Sequence, residues 1–430
     1  MESKVGIELY LVQGKGIGGR LKQYPEDFKV QEEIDIHGWE GEGDYVLAKV
    51  WSRNWETNRL VRRLSKELRM SRRRIRFAGT KDKRAVTEQW MSFETGMEVL
   101  SEVKIKDVEL SDLREGYRSL YIGAHRGNRF EIIIRDLDVD LDEAEKISDR
   151  IGQKIRDDRG FPNWFGVQRF GTVRPITHIV GKHIIQGDFE TAVKTYVANP
   201  IEGEQNECYQ VRRSLEETWD YKQALKDYPH ILTFERAVIQ ELVNNGEDYI
   251  SAIDALPDNL LKMFVHAYQS YIFNRILSER MKEGLPLNDV VEGDVVLPAN
   301  RDGSPELSNP ITIEKRNLSR SSSMVRGGKA YVSAPLFGLK TEFSKGEMGE
   351  IERRVVAEEG LTREDFVVPQ MRKLSSRGTR RPILAPIEDF DWRMNGSGLC
   401  LSFFLQKGSY ATCLLREFMK LPDQEVNRYS

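Results

Sequence analysis

A chain of 430 residues with 39% hydrophobic side chains can bury two sizeable cores, at roughly 100–200 residues per domain. Lys+Arg 65 against Asp+Glu 68 gives a net charge of −3, which excludes a polybasic tail protein but not RNA binding, since phosphates respond to local charge. No run reaches about 18 apolar residues, residues 1–4 lack a signal-peptide core, and three cysteines are too few for a disulfide framework, so a soluble intracellular protein is expected.

Along the chain, Leu60, Val61, Leu64 and Leu68 share one helical face and predict a helix over 54–70, capped by Asn54 or Thr57. A short strand over 74–77 ends at Gly79. Phe130, Ile132 and Ile134 alternate on a second strand, with Ile133 on the other face. An acidic-to-basic helix follows over 141–156. The middle is helical over 188–198, 214–227, 233–244 and 259–282, the last with Leu261, Phe264, Val265, Tyr268, Ile272 and Ile276 as a broad apolar stripe. Another helix covers 344–359. The end returns to a strand at 399–405, a Gly408-Ser409 break and an amphipathic helix at 410–420. A β-containing start and end around a helix-rich middle suggests one domain inserted into another.

Charge is concentrated locally. Residues 59–84 hold twelve Lys/Arg and only two acids, Glu67 and Asp82, and basic runs recur at 315–329 and 372–381. A solvated helix face explains any one of them, but three acid-poor runs in a net-acidic chain point to a polyanion groove. The six histidines are scattered and no HExxH or CxxC occurs, so a metal-free mechanism is expected. Gly14-Lys15-Gly16-Ile17-Gly18-Gly19 fits GxGxxG, yet Pro25 arrives before the helix a dinucleotide site needs. Thr80-Lys81-Asp82 is similar to a guanine-reading loop, but no phosphate-binding GxxxxGK[ST] accompanies it.

The informative segment runs from Phe77 to Gln89, where a glycine-broken turn presents Asp82 among Lys81, Lys83 and Arg84. Neighbouring cations favour an ionised carboxylate, available as base or nucleophile while the cations hold an RNA backbone. The plainer alternative is that Asp82 only relieves repulsion within the run.

Gly79-Thr80-Lys81-Asp82-Lys83, with Ala85, Thr87 and Gln89, resembles the signature of the TruD family of tRNA pseudouridine synthases. Further similar segments are Lys22 with Pro25-Glu26-Asp27-Phe28-Lys29-Val30-Gln31-Glu32, Gly127-Asn128-Arg129-Phe130, and 163–171 (NWFGVQRFG). Ser270-Tyr271-Ile272-Phe273-Asn274 and Gly408-Ser409-Tyr410-Ala411-Thr412 with Arg416-Glu417 complete six segments in order.

The resemblance implies an α+β fold: a pseudouridine synthase catalytic domain with a central, mainly antiparallel sheet, plus an inserted helix-rich α/β TRUD domain. The implied division is 1–165 and 372–430 for the catalytic domain, with 166–371 inserted and the two chain ends packed together. It further implies cofactor-free isomerisation of uridine to pseudouridine at position 13 of tRNA, in the cytoplasm, with no membrane and no obligate protein partner. Asp82 is the implied catalytic aspartate, attacking C1′, removing the 2′ proton or adding to C6. Lys22 would be its cation partner, Phe130 the stacking platform and Asn128 a hydrogen-bonding group near the carboxylate or base. Glu32, Gln168 and Arg169 would support the loop, Arg169 alternatively forming a structural pair at the domain junction, and residues 72–76 and 372–381 would contact phosphates. The competing reading is a non-catalytic RNA-binding or RNA-folding protein on the same scaffold; a methyltransferase lacks a credible cofactor loop.

Overall fold

The computed structural model describes residues 1–422 and 425. Two units divide the chain, Met1–Leu9 with Pro162–Leu384, and Tyr10–Phe161 with Ala385–Ser430. The units change over at 9/10, 161/162 and 384/385, near but not at the domain boundaries expected at 165/166 and 371/372. The first residues go with the helical unit because Asn274 Nδ2 donates to Val5 O (2.9 Å) and Ser278 Oγ to Gly6 O (2.7 Å).

The second unit is built on one sheet, from β1 (Phe28–Glu33), β2 (Glu40–Arg53), β3 (Ile75–Phe77), β4 (Val86–Phe93), β5 (Val108–Gly116) and β6 (Gly127–Ile134). The hairpin Leu384–Asn395 and Gly398–Gln406 continues it, and Gly160–Pro162 lies at its edge. Strand order is β5-β2-β4-β1-β6, then Gly398–Gln406 and Leu384–Asn395, with β3 on β4. β1 and β4 run parallel, whereas β1–β6, β2–β4, β2–β5, β3–β4, β6 with its hairpin neighbour, and the hairpin itself are antiparallel. The expected α+β class with a mainly antiparallel sheet is therefore present.

Period two sorts the side chains. In β1, Phe28, Val30 and Glu32 turn inward while Lys29 and Gln31 face solvent. Register carries the inward row across the sheet: Val30 opposes Phe130, Phe130 opposes Phe403, and Glu32 opposes Asn128. The helix Leu141–Asp158 buries Ala144, Ile147, Ile151 and Ile155. The start and end of this unit do meet, since Ile17 N donates to Phe418 O (2.9 Å) and Leu11 N to Glu417 Oε2 (2.7 Å). Gly16 approaches Met419 O so closely that a Cβ would sit 2.4 Å away, so this GxGxxG is packing rather than a phosphate cradle.

The first unit is helix-rich around Asp258–Lys282, whose expected stripe of Leu261, Phe264, Val265, Tyr268, Ile272 and Ile276 is buried. Phe273, Asn274 and Leu277 are buried too, as befits a central helix. A small antiparallel sheet, in the order Thr379–Pro382, Ala330–Leu336, Val295–Pro298, Ile311–Thr312, makes the unit α/β.

Three local expectations are corrected. The helix over 54–70 spans Thr57–Glu67, and its cap is Glu56, whose carboxylate accepts from Asn58 N and Arg59 N; Asn54 is left-handed, at φ 62. The helix over 214–227 is two, Asn206–Thr218 and Tyr221–Asp227, because Trp219 turns left-handed and Asp220 caps the second. Of the five cations at 372–381, three are committed inside the unit: Arg380 pairs with buried Glu352 (3.0 Å), Arg381 donates to Asn163, and Lys373 binds Asp254 and Asp258, while Arg372 and Arg377 are exposed.

Candidate active site

Lys22 and Asp82, sixty residues apart, meet through their side chains: Nζ donates to Oδ2 at 2.9 Å. The segment carrying Lys22 is tied to the end of β6, with Arg20 N on Arg135 O (2.7 Å) and Arg135 N on Arg20 O (3.0 Å). Lys22 itself is left-handed at φ 54, an uncommon conformation for a side chain with a Cβ. That turn sends the side chain inward, where it is 6% exposed and its ammonium lies 4.6 Å from the Phe28 ring centroid. Asp82, by contrast, is 62% exposed. A buried cation thus tethers a carboxylate that solvent and solutes can reach.

The loop holding Asp82 is pinned from beneath. Lys81, its neighbour, turns the opposite way and donates to Glu32 Oε2 at 2.6 Å, with both side chains buried. Burial pushes the Glu32 carboxyl up from its ordinary value, while Lys81 and the Trp90 N–H oppose that rise. Lys81 N donates to Thr57 Oγ1 (2.7 Å), Thr57 Oγ1 donates to Gln89 Oε1 (3.2 Å), and Ser52 and Thr87 hydroxyls bond at 3.0 Å. Arg84 closes the other end of the loop on Gln23 O (3.1 Å), next to Lys22.

Phe130 is 9% exposed. Phe403 stacks on it at 5.2 Å and 25°, and Phe28 meets it at 6.1 Å and 77°. Asn128, two residues earlier on the same face of β6, has a buried Oδ1 with no hydrogen-bond partner among the described residues. Lys22, Phe28 and Phe130 therefore form one contiguous cluster tied to Asp82 through the lysine, and Asn128 shares the Phe130 face of β6 opposite Glu32. Gln168 and Arg169 lie in the first unit, where Arg169 faces the Phe165 ring at 5.9 Å. Among the described residues no cluster of three His, Cys, Asp or Glu side chains could hold a metal.

A family model, tRNA pseudouridine synthase D (TruD), matches residues 4–418. The chain belongs to the TruD family. It is 44% identical to a Methanococcoides burtonii protein named "Probable tRNA pseudouridine synthase D", over 98% of this chain and 97% of that one. A Thermococcus onnurineus protein of the same name is 37% identical, over 96% and 97%. The crystal structure titled "Putative tRNA pseudouridine synthase D (TruD) from Methanosarcina mazei" superposes with a TM-score of 0.88 at 41% identity, covering 97% of each chain.

In this TruD protein Glu32 supports the loop as the resemblance implies, but its partner Lys81, with Thr57 and His125, escapes sequence reasoning. Lys81 reads as one more cation of a basic run, and only the pairing of β1 with β4 brings Glu32 beneath it. His125 lies against Gly79, where a Cβ would sit 3.1 Å from its Cε1 and 3.4 Å from Lys81 Nζ. Burial, reinforced by Lys81 and Lys407, lowers this imidazole to about 4, so it is neutral at physiological pH. A lone histidine before Gly127 carries no spacing signal that would have marked it.

Proposed function

We propose that Asp82 is the catalytic carboxylate of uridine isomerisation in tRNA, held by Lys22 over the Phe28–Phe130 floor. As a TruD family tRNA pseudouridine synthase the protein is an isomerase acting on tRNA uridine. The observation that carries the residue assignment is the 2.9 Å bond from a buried lysine to an accessible aspartate. A turned-out uridine loses its C1′–N1 bond, the uracil rotates, and the ring rejoins C1′ through C5; C5 gives up its proton and N1 takes one up, so the product is an isomer. Asp82 serves this sequence at C1′, at the 2′ proton or at C6.

Turning the nucleotide out costs about a few kcal/mol, which the pocket must return through stacking and hydrogen bonds. Phe130 supplies the aromatic floor, and the unpartnered Asn128 Oδ1 is an acceptor for an imide or ribose donor. The unit of Tyr10–Phe161 and Ala385–Ser430 is the catalytic domain and the helical unit the TRUD insert. The target is position 13, the partner is tRNA without an obligate protein subunit, and the workplace is the cytoplasm. No helix among the described residues is long and apolar enough to cross a membrane.

Asp82→Asn removes charge and not shape. It is expected to abolish pseudouridine formation in tRNA while holding tRNA affinity within about tenfold. Retained turnover refutes the assignment.

A further inference from the structure

A groove of about 780 Å³ opens on the catalytic unit away from the Lys22–Asp82 pair, lined by Arg62, Arg72, Arg73 and Arg76 together with Tyr121 and Ile122. Arg72, Arg73 and Arg76 make no ion pair with any carboxylate among the described residues. The one acid on the wall, Glu56, has both oxygens committed to the N-terminus of the helix Thr57–Glu67, through Asn58 N (2.8 Å) and Arg59 N (2.9 Å). Three guanidinium groups therefore face the groove uncompensated, which is the electrostatic mark of a polyanion site.

The apolar side of the groove narrows the choice of polyanion. Tyr121 and Ile122 are exposed, although the residues around them are anchored: Leu120 N donates to Ser92 Oγ (2.9 Å) and Gly123 N to Ala78 O (2.7 Å). The Tyr121 ring leans on Trp39 at 5.3 Å and 56°, so its orientation is held while much of its surface stays open. An exposed aromatic beside unpaired arginines is the pattern that stacks a base and grips its phosphates, and it requires a base free of a helix. Duplex RNA would present only its backbone here.

Position relative to Asp82 completes the argument. The loop bearing Tyr121 bonds to Ala78, and Phe77 on the groove wall precedes Asp82 by five residues, at most about 18 Å of extended chain. We propose that this groove binds an unpaired segment of the RNA substrate a few nucleotides from the target uridine, with phosphates on Arg72, Arg73 and Arg76 and a base on Tyr121. The proposal rests on the reading of Asp82 as an RNA-directed catalytic residue, and it adds a second point of grip.

The test uses the full chain and a fluorescent hexauridylate, read by anisotropy across a salt series, with a short RNA duplex as competitor. The triple variant Arg72→Gln/Arg73→Gln/Arg76→Gln should weaken hexauridylate by tenfold or more and lower its log–log salt slope by about two to three. Tyr121→Ala should weaken it about fivefold or more, and Tyr121→Phe should stay within about twofold, because the ring and not the hydroxyl stacks. With whole tRNA the arginine losses should fall on KM. Native-like binding by the triple variant overturns the proposal, as does equal weakening by Tyr121→Phe or a duplex that competes as well as the single strand. If Asp82→Asn still turns over while the triple variant loses hexauridylate, the groove stands and the catalytic assignment fails.

Discussion

Lys81→Met tests the brace beneath the Asp82 loop most directly. The substitution keeps the bulk of the side chain and deletes the ammonium that sits 2.6 Å from Glu32 Oε2. Glu32 would retain only the Trp90 N–H, at 3.2 Å, in a site its side chain shares with no solvent. Removing one partner of a buried pair costs about 3–5 kcal/mol, because the other charge is left without compensation. The carboxylate can limit that cost by taking up a proton. Burial already pushes its pKa above the ordinary 4.5, and losing Lys81 pushes it further. Between that ordinary value and the folded one, the native state binds more protons than the unfolded chain, so stability falls as pH rises.

The cost of Lys81→Met should thus be near the upper figure at about pH 8 and clearly smaller at about pH 5.5. Hydrogen exchange of the β1 and β4 amides reads the stability of this unit by itself. Glu32→Gln/Lys81→Met should recover most of the loss, since a neutral amide carries no stranded charge. Isomerisation should fall with the loop's position while tRNA affinity holds. A cost below about 1 kcal/mol at the higher pH, or equal costs at both, would refute the brace.

Burial lowers both His125 and His178 to about 4, so the unfolded chain takes up protons that the native state refuses. Each contributes stability that is complete above about 6.5 and lost as pH falls toward 4, at most on the order of 3 kcal/mol for buried His178 and less for the half-buried, solvent-screened His125. Thermal midpoints across that window should fall less steeply for His125→Gln than for the native chain; parallel profiles would contradict the buried imidazole. Gly127→Ala places a Cβ 2.2 Å from Leu405 O and 2.5 Å from the Phe404 ring, and should cost about 1–3 kcal/mol in urea unfolding. Gly396→Ala, with nothing within 4 Å of its Cβ, is the near-neutral control.

Long periodic segments were legible because their burial is local in sequence. The stripe from Leu261 to Ile276 and the alternation of Phe130, Ile132 and Ile134 appear in the structure as read. What escaped is set by partners far along the chain. Arg380 and Arg381 read as free charge, yet their partners Glu352 and Asn163 lie 28 and 218 residues away. Glu56 is an unfavoured capping residue, and Trp219 breaks a helix without glycine or proline, so neither left a compositional trace. Spacing alone could not join Lys22 to Asp82; only the likeness of whole segments to a family did so.

The exposure of Asp82 fits the catalytic role proposed for it. A group that must touch the sugar or base of an extruded nucleotide cannot lie under its own fold, yet a free surface aspartate would sample many rotamers and lose geometry. Here the burial is displaced onto its neighbours. Lys22 below it and Lys81 beside it are both buried, the first bonded to the acid and the second to Glu32. The two lysines fix the carboxylate from the inside and leave its other side open, as the proposed reaction requires. On this view Lys22→Met and Lys81→Met act through different bonds on one quantity, the position of Asp82.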